Sequence, residues 1–210
     1  LRYGENPHQS GTFYRFEGEK HAPWKQLSGK TLSYNNYLDL DASLRLARSF
    51  QKWDTTVALI KHCNPCGVAI AASVDEALER AQACDPRSHF GGVIAVNRTI
   101  GESAAQKMIE SFYEIIVAPA FEPGALELLR IKKHLRVIQY DPAYVPKFEY
   151  RSVEGGMLKQ DVDLAETTLP IELLASSPVP TPKQLKDLEF AWACVRHVRS
   201  NAIVIVKDNQ

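Results

Sequence analysis

The sequence predicts an α/β protein in which a largely parallel sheet carries helices on both faces. Short apolar runs typical of buried strands alternate along the chain with amphipathic stretches long enough to form helices. Because a helix that links two strands of one sheet forms a right-handed crossover, this alternation favours parallel neighbours. With 210 residues, of which 45% are hydrophobic, the chain can bury one sizeable core.

The composition argues against several classes of protein. Basic and acidic residues both number 25, and this neutral balance disfavours a main role in coating nucleic acid or an anionic membrane. The longest apolar run, 202–206, is too short to span a bilayer, and residues 1–9 do not resemble a signal peptide. The four cysteines are too few and too unevenly spaced for a disulfide framework. We therefore expect a cytoplasmic protein, in which a local pocket for a single phosphate stays possible.

Each element is predicted from its local pattern. Residues 1–9 mix charged, aromatic, Gly and Pro residues, which is typical of an ordered loop. Apolar residues recur at helical spacing from Leu40 to Phe50, and Ser73 with Glu76 forms a capping box at the start of a second helix. The predicted strands are 12–16, 56–60, 92–96, 115–118 and 135–140. The predicted helices are 38–53, 73–84, 102–112 and 124–131.

The last third of the chain has a different pattern. Residues 148–158 predict a strand or an extended segment, and the proline-rich stretch 160–182 predicts a surface linker. Thr181 as N-cap and Pro182 as the first helical residue predict a helix over 181–198. A strand at 201–206 and a turn at 207–209 follow. The predicted organisation is a first subdomain at 1–158, a linker at 159–180 and the start of a second subdomain at 181–210.

The segment 60–67 (IKHCNPCG) follows a predicted strand, at the position where open α/β sheets bind ligands. A zinc site would use His62, Cys63 and Cys66, but no second Cys/His pair has ligand spacing. The two cysteines also have the spacing of a redox dithiol, although such pairs usually open a helix. Alternatively, Lys61 and His62 are the working pair, because a neighbouring cation favours the neutral imidazole that a general base needs. Taken alone, the pair would also fit an ordinary solvated strand end.

A second segment, 85–92 (DPRSHFGG), occupies the equivalent position before the next strand. Gly91 and Gly92 allow a ligand to approach the backbone closely, and we expect their N–H groups to be available for an oxyanion or a carboxamide. A plain turn would have the same pattern. Asn36 is either a cap of the first helix or a ligand contact, and residues 199–201 either cap a helix or present an amide to a cleft.

Seven segments carry the most specific pattern of the sequence: 1–9 (LRYGENPHQ), 32–36 (LSYNN), 61–69 (KHCNPCGVA), 85–97 (DPRSHFGGVIAVN), 112–121 (FYEIIVAPAF), 151–161 (RSVEGGMLKQD) and 200–204 (SNAIV). Together they resemble the transformylase part of the bifunctional purine biosynthesis protein family, which joins phosphoribosylaminoimidazolecarboxamide formyltransferase and IMP cyclohydrolase. The segments occur in the family's order and extend over essentially the whole chain.

The resemblance implies an enzyme that transfers a formyl group from its co-substrate 10-formyltetrahydrofolate to 5-aminoimidazole-4-carboxamide ribonucleotide (AICAR) in IMP biosynthesis. It implies a three-layer α/β/α sandwich of the cytidine-deaminase-like type that needs no metal. It also implies a homodimer with the active site at the interface. Cyclisation to IMP belongs to a separate N-terminal domain in the family, outside these 210 residues.

The resemblance also assigns roles to individual residues. Lys61 and His62 match the catalytic pair, and Asn201 matches the asparagine that orients the formyl oxygen. The matched nucleotide contacts are Arg2 and Tyr3 for phosphate and base, with Asn36, Phe90, Gly91 and Glu114 for ribose, carboxamide and the adjoining wall.

Two other classes stay open on the sequence alone. One is a zinc-dependent, deaminase-like hydrolase on the same fold, which would use Cys63 and Cys66 as ligands. The other is a non-catalytic nucleotide-binding or dimerisation fragment of the same enzyme.

Overall fold

The computed structural model describes residues 1–16, 23–163 and 178–210. These residues form a six-stranded sheet, a separate two-stranded hairpin and five helices. The strands are β1 (Trp24–Ser28), β2 (Thr55–Lys61), β3 (Asn64–Ala71), β4 (Val93–Val96), β5 (Ile115–Ala118), β6 (Arg136–Tyr140), β7 (Phe148–Val153) and β8 (Gly156–Asp161). The helices are α1 (Tyr34–Ser49), α2 (Val74–Cys84), α3 (Glu102–Met108), α4 (Pro123–Ile131) and α5 (Pro182–Val195).

The central sheet has the strand order β1-β6-β5-β4-β2-β3. Strands β4, β5 and β6 pair in parallel, whereas β2 is antiparallel to both β3 and β4, and β1 is antiparallel to β6. Four of these six strands, β3 to β6, therefore run in one direction, which agrees with the predicted largely parallel sheet. The prediction that a crossover helix follows β2 was wrong, because a tight turn connects β2 directly to β3.

Helices cover both faces of the sheet because the strand side chains alternate between two apolar layers. Val57 and Leu59 of β2 pack with α2, α3 and α4 in one core, while Ala58 and Ile60 pack with α1 and α5 in the other. On the second face, the Phe190 ring of α5 lies 5.8 Å from the Phe50 ring next to α1. The expectation of an α/β fold with helices on both faces is confirmed.

Side-chain caps define where three helices begin. Ser33 accepts a hydrogen bond from the Asn36 N–H, and the Asn36 side chain accepts one from the Ser33 N–H, so α1 begins four residues before its predicted start. Ser73 caps α2 in the predicted position. Thr181 and Gln184 form the complete capping box of α5.

Several predicted boundaries differ from the structure. Residues 12–16 form no strand, and the Phe13 ring stacks on Tyr37 at 4.4 Å, while the first strand is β1. Helix α3 ends at Met108 rather than 112. Residues 148–161 form the β7–β8 hairpin, and 164–177 of the predicted linker lie outside the described residues.

The predicted strand 201–206 has no strand partner in the described part of the chain. Val204 and Val206 pack against the α1 face, whereas Ile203 and Ile205 are 86% and 93% exposed. The segment is therefore extended and half-buried, as its alternating pattern requires, but it is not hydrogen-bonded into a sheet formed by residues 1–16, 23–163 or 178–210. The division into two subdomains stays a prediction. Within the described ranges, no helix is long and apolar enough to cross a membrane.

Candidate active site

The register of the sheet brings the two sequence motifs to one edge. Ile60 pairs with Val93, Val93 with Ile115, and Ile115 with Arg136, so these four residues form one row across four strands. The residues next to this row in sequence are Lys61 and His62, Gly91 and Gly92, and Glu114. Because β2 runs opposite to its neighbours, the carboxyl end of β2 meets the amino ends of β4, β5 and β6. The predicted site is thus assembled at one edge, although not at the carboxyl ends of parallel strands.

His62 and Cys63 form the two-residue turn between β2 and β3. Both have positive φ, at 53° and 61°, which is the pattern of a type I′ hairpin turn. Neither residue is a glycine, and holding a side-chain-bearing residue in this region costs about 1 kcal/mol or more. The turn leaves the His62 side chain exposed at the sheet edge, whereas the Cys63 N–H donates to Asp39 Oδ1 at 2.8 Å. The turn is therefore fixed by α1 while the imidazole stays accessible.

Lys61 links the turn to the second motif. Its ammonium group donates to the Phe90 carbonyl oxygen at 2.5 Å and lies 4.0 Å from the position of a Cβ added at Gly91. The two predicted catalytic side chains therefore share one edge, with Lys61 directed at the glycine loop. The predicted effect of Lys61 on the protonation of His62 stays a prediction.

The glycine loop does not supply free backbone donors. The Gly91 N–H donates to the Phe112 carbonyl at 2.8 Å, and the Gly92 N–H donates to the His89 carbonyl at 3.0 Å. The expectation that these N–H groups are available to a ligand was therefore wrong, because they hold the loop against neighbouring backbone. Gly91 is needed for its positive φ of +72°, and Gly92 for close packing, since a Cβ there would lie 2.6 Å from the Ile60 carbonyl oxygen.

An aromatic wall lies beside the glycine loop. The Phe90 ring is 59% exposed and lies 5.5 Å from the Phe112 ring, which lies 4.9 Å from the His134 ring. The rings are tilted by 44° and 32° against one another and place aromatic groups next to polar ones, which is the usual composition of a small-molecule site.

Glu114 lies at the start of β5 on the same edge. Its backbone N–H donates to the Gly92 carbonyl at 2.9 Å, and its carboxylate accepts a hydrogen bond from Arg136 at 2.5 Å. The Glu114 side chain is 36% exposed, so this carboxylate is both paired and accessible.

The N-terminal loop, which carries Arg2 and Tyr3, contacts the start of α1. Arg2 is exposed, and its guanidinium carbon lies 5.7 Å from the centre of the Tyr3 ring. The Asn35 side chain donates to the Glu5 carbonyl at 3.4 Å, which ties the loop to the start of α1. Asn36 is buried, and its side-chain oxygen is occupied in the capping box, so the structure gives it the capping role.

The C-terminal segment that carries Asn201 contacts β3 beside the β2–β3 turn. The neighbouring Arg199 N–H donates to the Asn64 side-chain oxygen at 3.3 Å, and Asn64 in turn donates to the His62 carbonyl at 3.3 Å. Asn201 itself is exposed. The structure thus brings the segment that carries Asn201 to the turn that carries His62.

The two cysteines of the first motif point to opposite faces of the sheet. The Cys63 thiol contacts Asp39 of α1, at 3.5 Å, whereas Cys66 packs into the core under α2. Burial raises the pKa of both thiols, that of Cys66 to about 11, so neither is a thiolate at neutral pH. This geometry disfavours the zinc and dithiol interpretations, because one ion or one disulfide needs both sulfur atoms on the same side.

Three residues of this edge were not identified from the sequence. Asp39 anchors the turn, Phe112 forms the centre of the aromatic wall, and Arg136 pairs with Glu114. The sequence contains one signal for Arg136, a charged residue at the start of an apolar strand, where burial requires a partner.

The comparisons with known proteins all indicate the same family. Residues 1–210 match the AICARFT/IMPCHase bienzyme family. The chain is 43% identical to the bifunctional purine biosynthesis protein PurH of Thermoanaerobacter sp. (strain X514) over 99% of its length, which is 41% of that protein. It is 46% identical to PurH of Corynebacterium glutamicum, with 99% of this chain and 40% of that protein covered. It is 43% identical to PurH of Myxococcus xanthus, with 100% and 43% covered.

The chain spans about two fifths of the length of these curated relatives, which are 43–46% identical to it. The family match extends over every residue of the chain and agrees with the sequence resemblance. The chain therefore belongs to the AICARFT/IMPCHase bienzyme family.

Proposed function

We propose that this chain carries the AICAR-binding and catalytic edge of a formyltransferase of purine biosynthesis. The reaction would transfer a formyl group from 10-formyltetrahydrofolate to the amine of AICAR. The observation that carries the proposal is the row of residues at the sheet edge, where Lys61, His62, Gly91 and Glu114 meet across three neighbouring strands. The names of the PurH relatives, which are bifunctional purine biosynthesis proteins, support the same pathway.

His62 is proposed as the general base. The AICAR amine is a poor nucleophile because its lone pair is delocalised into the ring and the carboxamide, so its proton must leave as the N–C bond forms. An exposed imidazole on a fixed turn can accept this proton directly or through the carboxamide. The formyl carbon then passes from the folate nitrogen to the AICAR nitrogen, and the proton returns to the folate leaving group.

Lys61 and Asn201 are proposed to stabilise the negative charge that develops on the formyl oxygen. The Lys61 ammonium group donates to the Phe90 carbonyl on this edge, and the segment that carries Asn201 contacts Asn64 through the Arg199 N–H. A fixed cation and an amide donor stabilise an oxyanion more strongly than they stabilise a neutral formyl group.

The remaining nucleotide contacts are proposed from the resemblance. Arg2 and Tyr3 would hold the phosphate and the base, Phe90 would form the wall, and Glu114 would accept a hydrogen bond from the ribose or the carboxamide. The described residues contain no cluster of three metal-binding side chains, and the residue roles proposed here use no metal.

The full enzyme is proposed to be a homodimer of cytidine-deaminase-like subdomains with composite active sites. The chain spans about two fifths of its relatives, so further folate and phosphate contacts are expected from the rest of the protein. For this reason the catalytic test uses the full-length protein.

The test is formyl transfer by the native full-length protein, followed by the absorbance change as tetrahydrofolate forms. We expect turnover that requires both AICAR and 10-formyltetrahydrofolate and that persists after exhaustive chelation. A purified protein that binds AICAR but never transfers the formyl group would support a non-catalytic role. Absence of formyl transfer, together with a nucleotide hydrolysis that disappears on chelation and returns with zinc, would support the hydrolase alternative.

A further inference from the structure

The sheet edge contains a buried cation that the proposed chemistry does not use. Arg136 begins β6, and its side chain is only 11% exposed. Burial of a guanidinium is costly unless its donors are satisfied, so the partners of Arg136 indicate what the residue is for.

The guanidinium of Arg136 is held from two sides. One side is the loop between β1 and α1, where the Thr31 carbonyl accepts from Nε at 3.4 Å and from Nη2 at 3.3 Å. The other side is the His134 carbonyl, which accepts from Nη1 at 3.4 Å. Gly29 permits this close approach, since a Cβ at its φ of +93° would lie 1.9 Å from the Leu135 carbonyl oxygen. The orientation of Arg136 is therefore fixed by backbone carbonyl groups.

The same guanidinium donates from Nη1 to one oxygen of Glu114, Oε2, at 2.5 Å. The two residues are also joined through the backbone, because the Arg136 N–H donates to the Glu114 carbonyl at 3.1 Å. Within the described residues, the other carboxylate oxygen, Oε1, accepts no hydrogen bond, and the side chain is 36% exposed. The second oxygen of this partly exposed carboxylate is therefore accessible to a hydrogen-bond donor of a ligand at the same edge.

We infer that Arg136 is a positioning residue that fixes Glu114 so that Oε1 accepts a hydrogen bond from a neutral donor of the nucleotide. This inference rests on the proposed function. An ionised carboxylate accepts and does not donate, so it selects an O–H or N–H group and repels a second carboxylate. The donor is a ribose hydroxyl or the carboxamide N–H, and both have the same chemistry toward Oε1.

The test is calorimetric binding of three nucleotides to the full-length protein: AICAR, its 2′-deoxy analogue and its 4-carboxylate analogue. We expect the wild type to bind at least one analogue more weakly than AICAR, and the weaker analogue identifies the donor. Arg136→Met and Glu114→Gln should each weaken AICAR binding about tenfold, the usual worth of a hydrogen bond to a charged group. Both should also reduce the discrimination between AICAR and the weaker analogue.

Three further variants separate positioning from folding. Arg136→Lys should recover part of the discrimination, since a lysine keeps the charge but loses the planar fork. The double variant Arg136→Met/Glu114→Gln should bind AICAR no more weakly than the worse single variant, because the two residues act as one unit. Arg45→Met removes a different paired arginine, on α1, and should leave all three affinities unchanged.

The outcomes are distinct. An Arg136→Met protein that discriminates among the nucleotides as the wild type does would overturn the inference and leave the proposed function standing. A uniform loss of affinity for all three nucleotides would also overturn it, because a purely structural role predicts that result. Should Arg136→Met fail to fold, Arg136→Lys with unchanged discrimination and affinity would overturn it equally. A wild-type protein that binds none of the nucleotides would overturn the proposed function itself.

Discussion

The two ends of the central sheet use their polar residues in opposite ways. At the end where β4 and β6 finish, Asn97 is buried, and its side chain accepts from the Thr56 N–H at 2.8 Å. It also donates to the Phe50 and Asp54 carbonyls at 2.7 and 3.0 Å. At the other end, His62 is exposed, Phe90 is exposed, and Glu114 keeps one oxygen unoccupied within the described residues.

Tyr140 is a second polar residue that is buried at the Asn97 end of the sheet. It lies at the carboxyl end of β6, where open α/β sheets usually bind ligands. Its hydroxyl accepts from Gln51 at 2.7 Å and donates to the Val96 carbonyl at 3.3 Å, and burial raises its pKa to about 12. This end is closed by the connection from α1 to β2, so its polar groups stabilise the fold. The reversed direction of β2 places the accessible polar groups at the opposite end.

The largest expected effect is that of His62→Ala on turnover. In the full-length protein this change should lower kcat for formyl transfer by about a hundredfold or more, the usual worth of a positioned general base. AICAR affinity and the thermal midpoint should change little, because the side chain is exposed and acts in the transition state. Lys61→Met should also be severe and non-additive with His62→Ala. A His62→Ala enzyme with wild-type kcat would end the general-base assignment.

At the opposite end of the sheet, Asn97→Ala should lower the stability of the fold and leave turnover unchanged. The change removes three hydrogen bonds and takes from the buried Thr56 N–H its side-chain acceptor, so we expect a loss of about 3 kcal/mol in the free energy of unfolding. The kcat per folded molecule should not change. Urea unfolding measures the loss, and Asn35→Ala on the exposed start of α1 is the control, with an expected change within about 0.5 kcal/mol. Equal unfolding free energies of the Asn97→Ala and Asn35→Ala proteins would show that the Asn97 hydrogen bonds do not stabilise this end of the sheet.

A second histidine, His197, should make the stability of the fold depend on pH. His197 lies near the C-terminal end of α5, where Nε2 is 2.8 Å from Ser49 Oγ. Burial, with smaller contributions from Arg196 and Arg45, lowers the pKa of His197 to about 4 from 6.5. The unfolded chain therefore binds a proton that the folded chain does not bind as the pH falls from 6.5 toward 4, and folding stability decreases in this window.

The expected loss of unfolding free energy from His197 is up to about 3 kcal/mol. His197→Gln should flatten this pH dependence, while Asn35→Ala should leave it as in the wild type. Urea unfolding at pH 7, 6, 5 and 4 measures the difference. A His197→Gln protein with the full wild-type loss between pH 6.5 and 4 would contradict the assignment.

The smallest expected effects are those of the two cysteines beside His62. Cys63→Ser and Cys66→Ala should each cost at most about 1–2 kcal/mol in stability, because they remove small packing contacts. AICAR affinity should stay within about twofold of the wild type, well below the tenfold that one lost charged hydrogen bond would cost. Calorimetry on both variants tests this, and an abolished affinity in either would revive the zinc or dithiol interpretation.

The sequence predicts elements well where local chemistry determines them. Thr181 with Pro182 locates the start of α5, and Ser73 locates the start of α2, because caps act within one helical turn. The strands β4, β5 and β6 are short apolar runs buried on both faces, so they are recognisable without knowledge of their neighbours.

The sequence predictions fail where contacts between residues distant in sequence determine the local structure. Nothing in His62 and Cys63 indicates positive φ, since such turns usually contain Asn and Gly, and the sequence therefore did not predict that β2 turns directly into β3. The glycine loop was recognised, but the use of its N–H groups depends on the Phe112 and His89 carbonyls. Arg136 was missed because its role depends on a partner that lies 22 residues away in sequence.

The most direct test of this site is a crystal structure of the full-length protein with AICAR bound. We expect the aminoimidazole to lie between the β2–β3 turn and the Phe90 ring, with a donor of the nucleotide on Glu114 Oε1. We also expect Asn97 and Tyr140 to keep their internal hydrogen bonds at the opposite end of the sheet. A nucleotide bound at the Asn97 end, or bound away from both Lys61 and His62, would contradict the assignment of the active site to this edge.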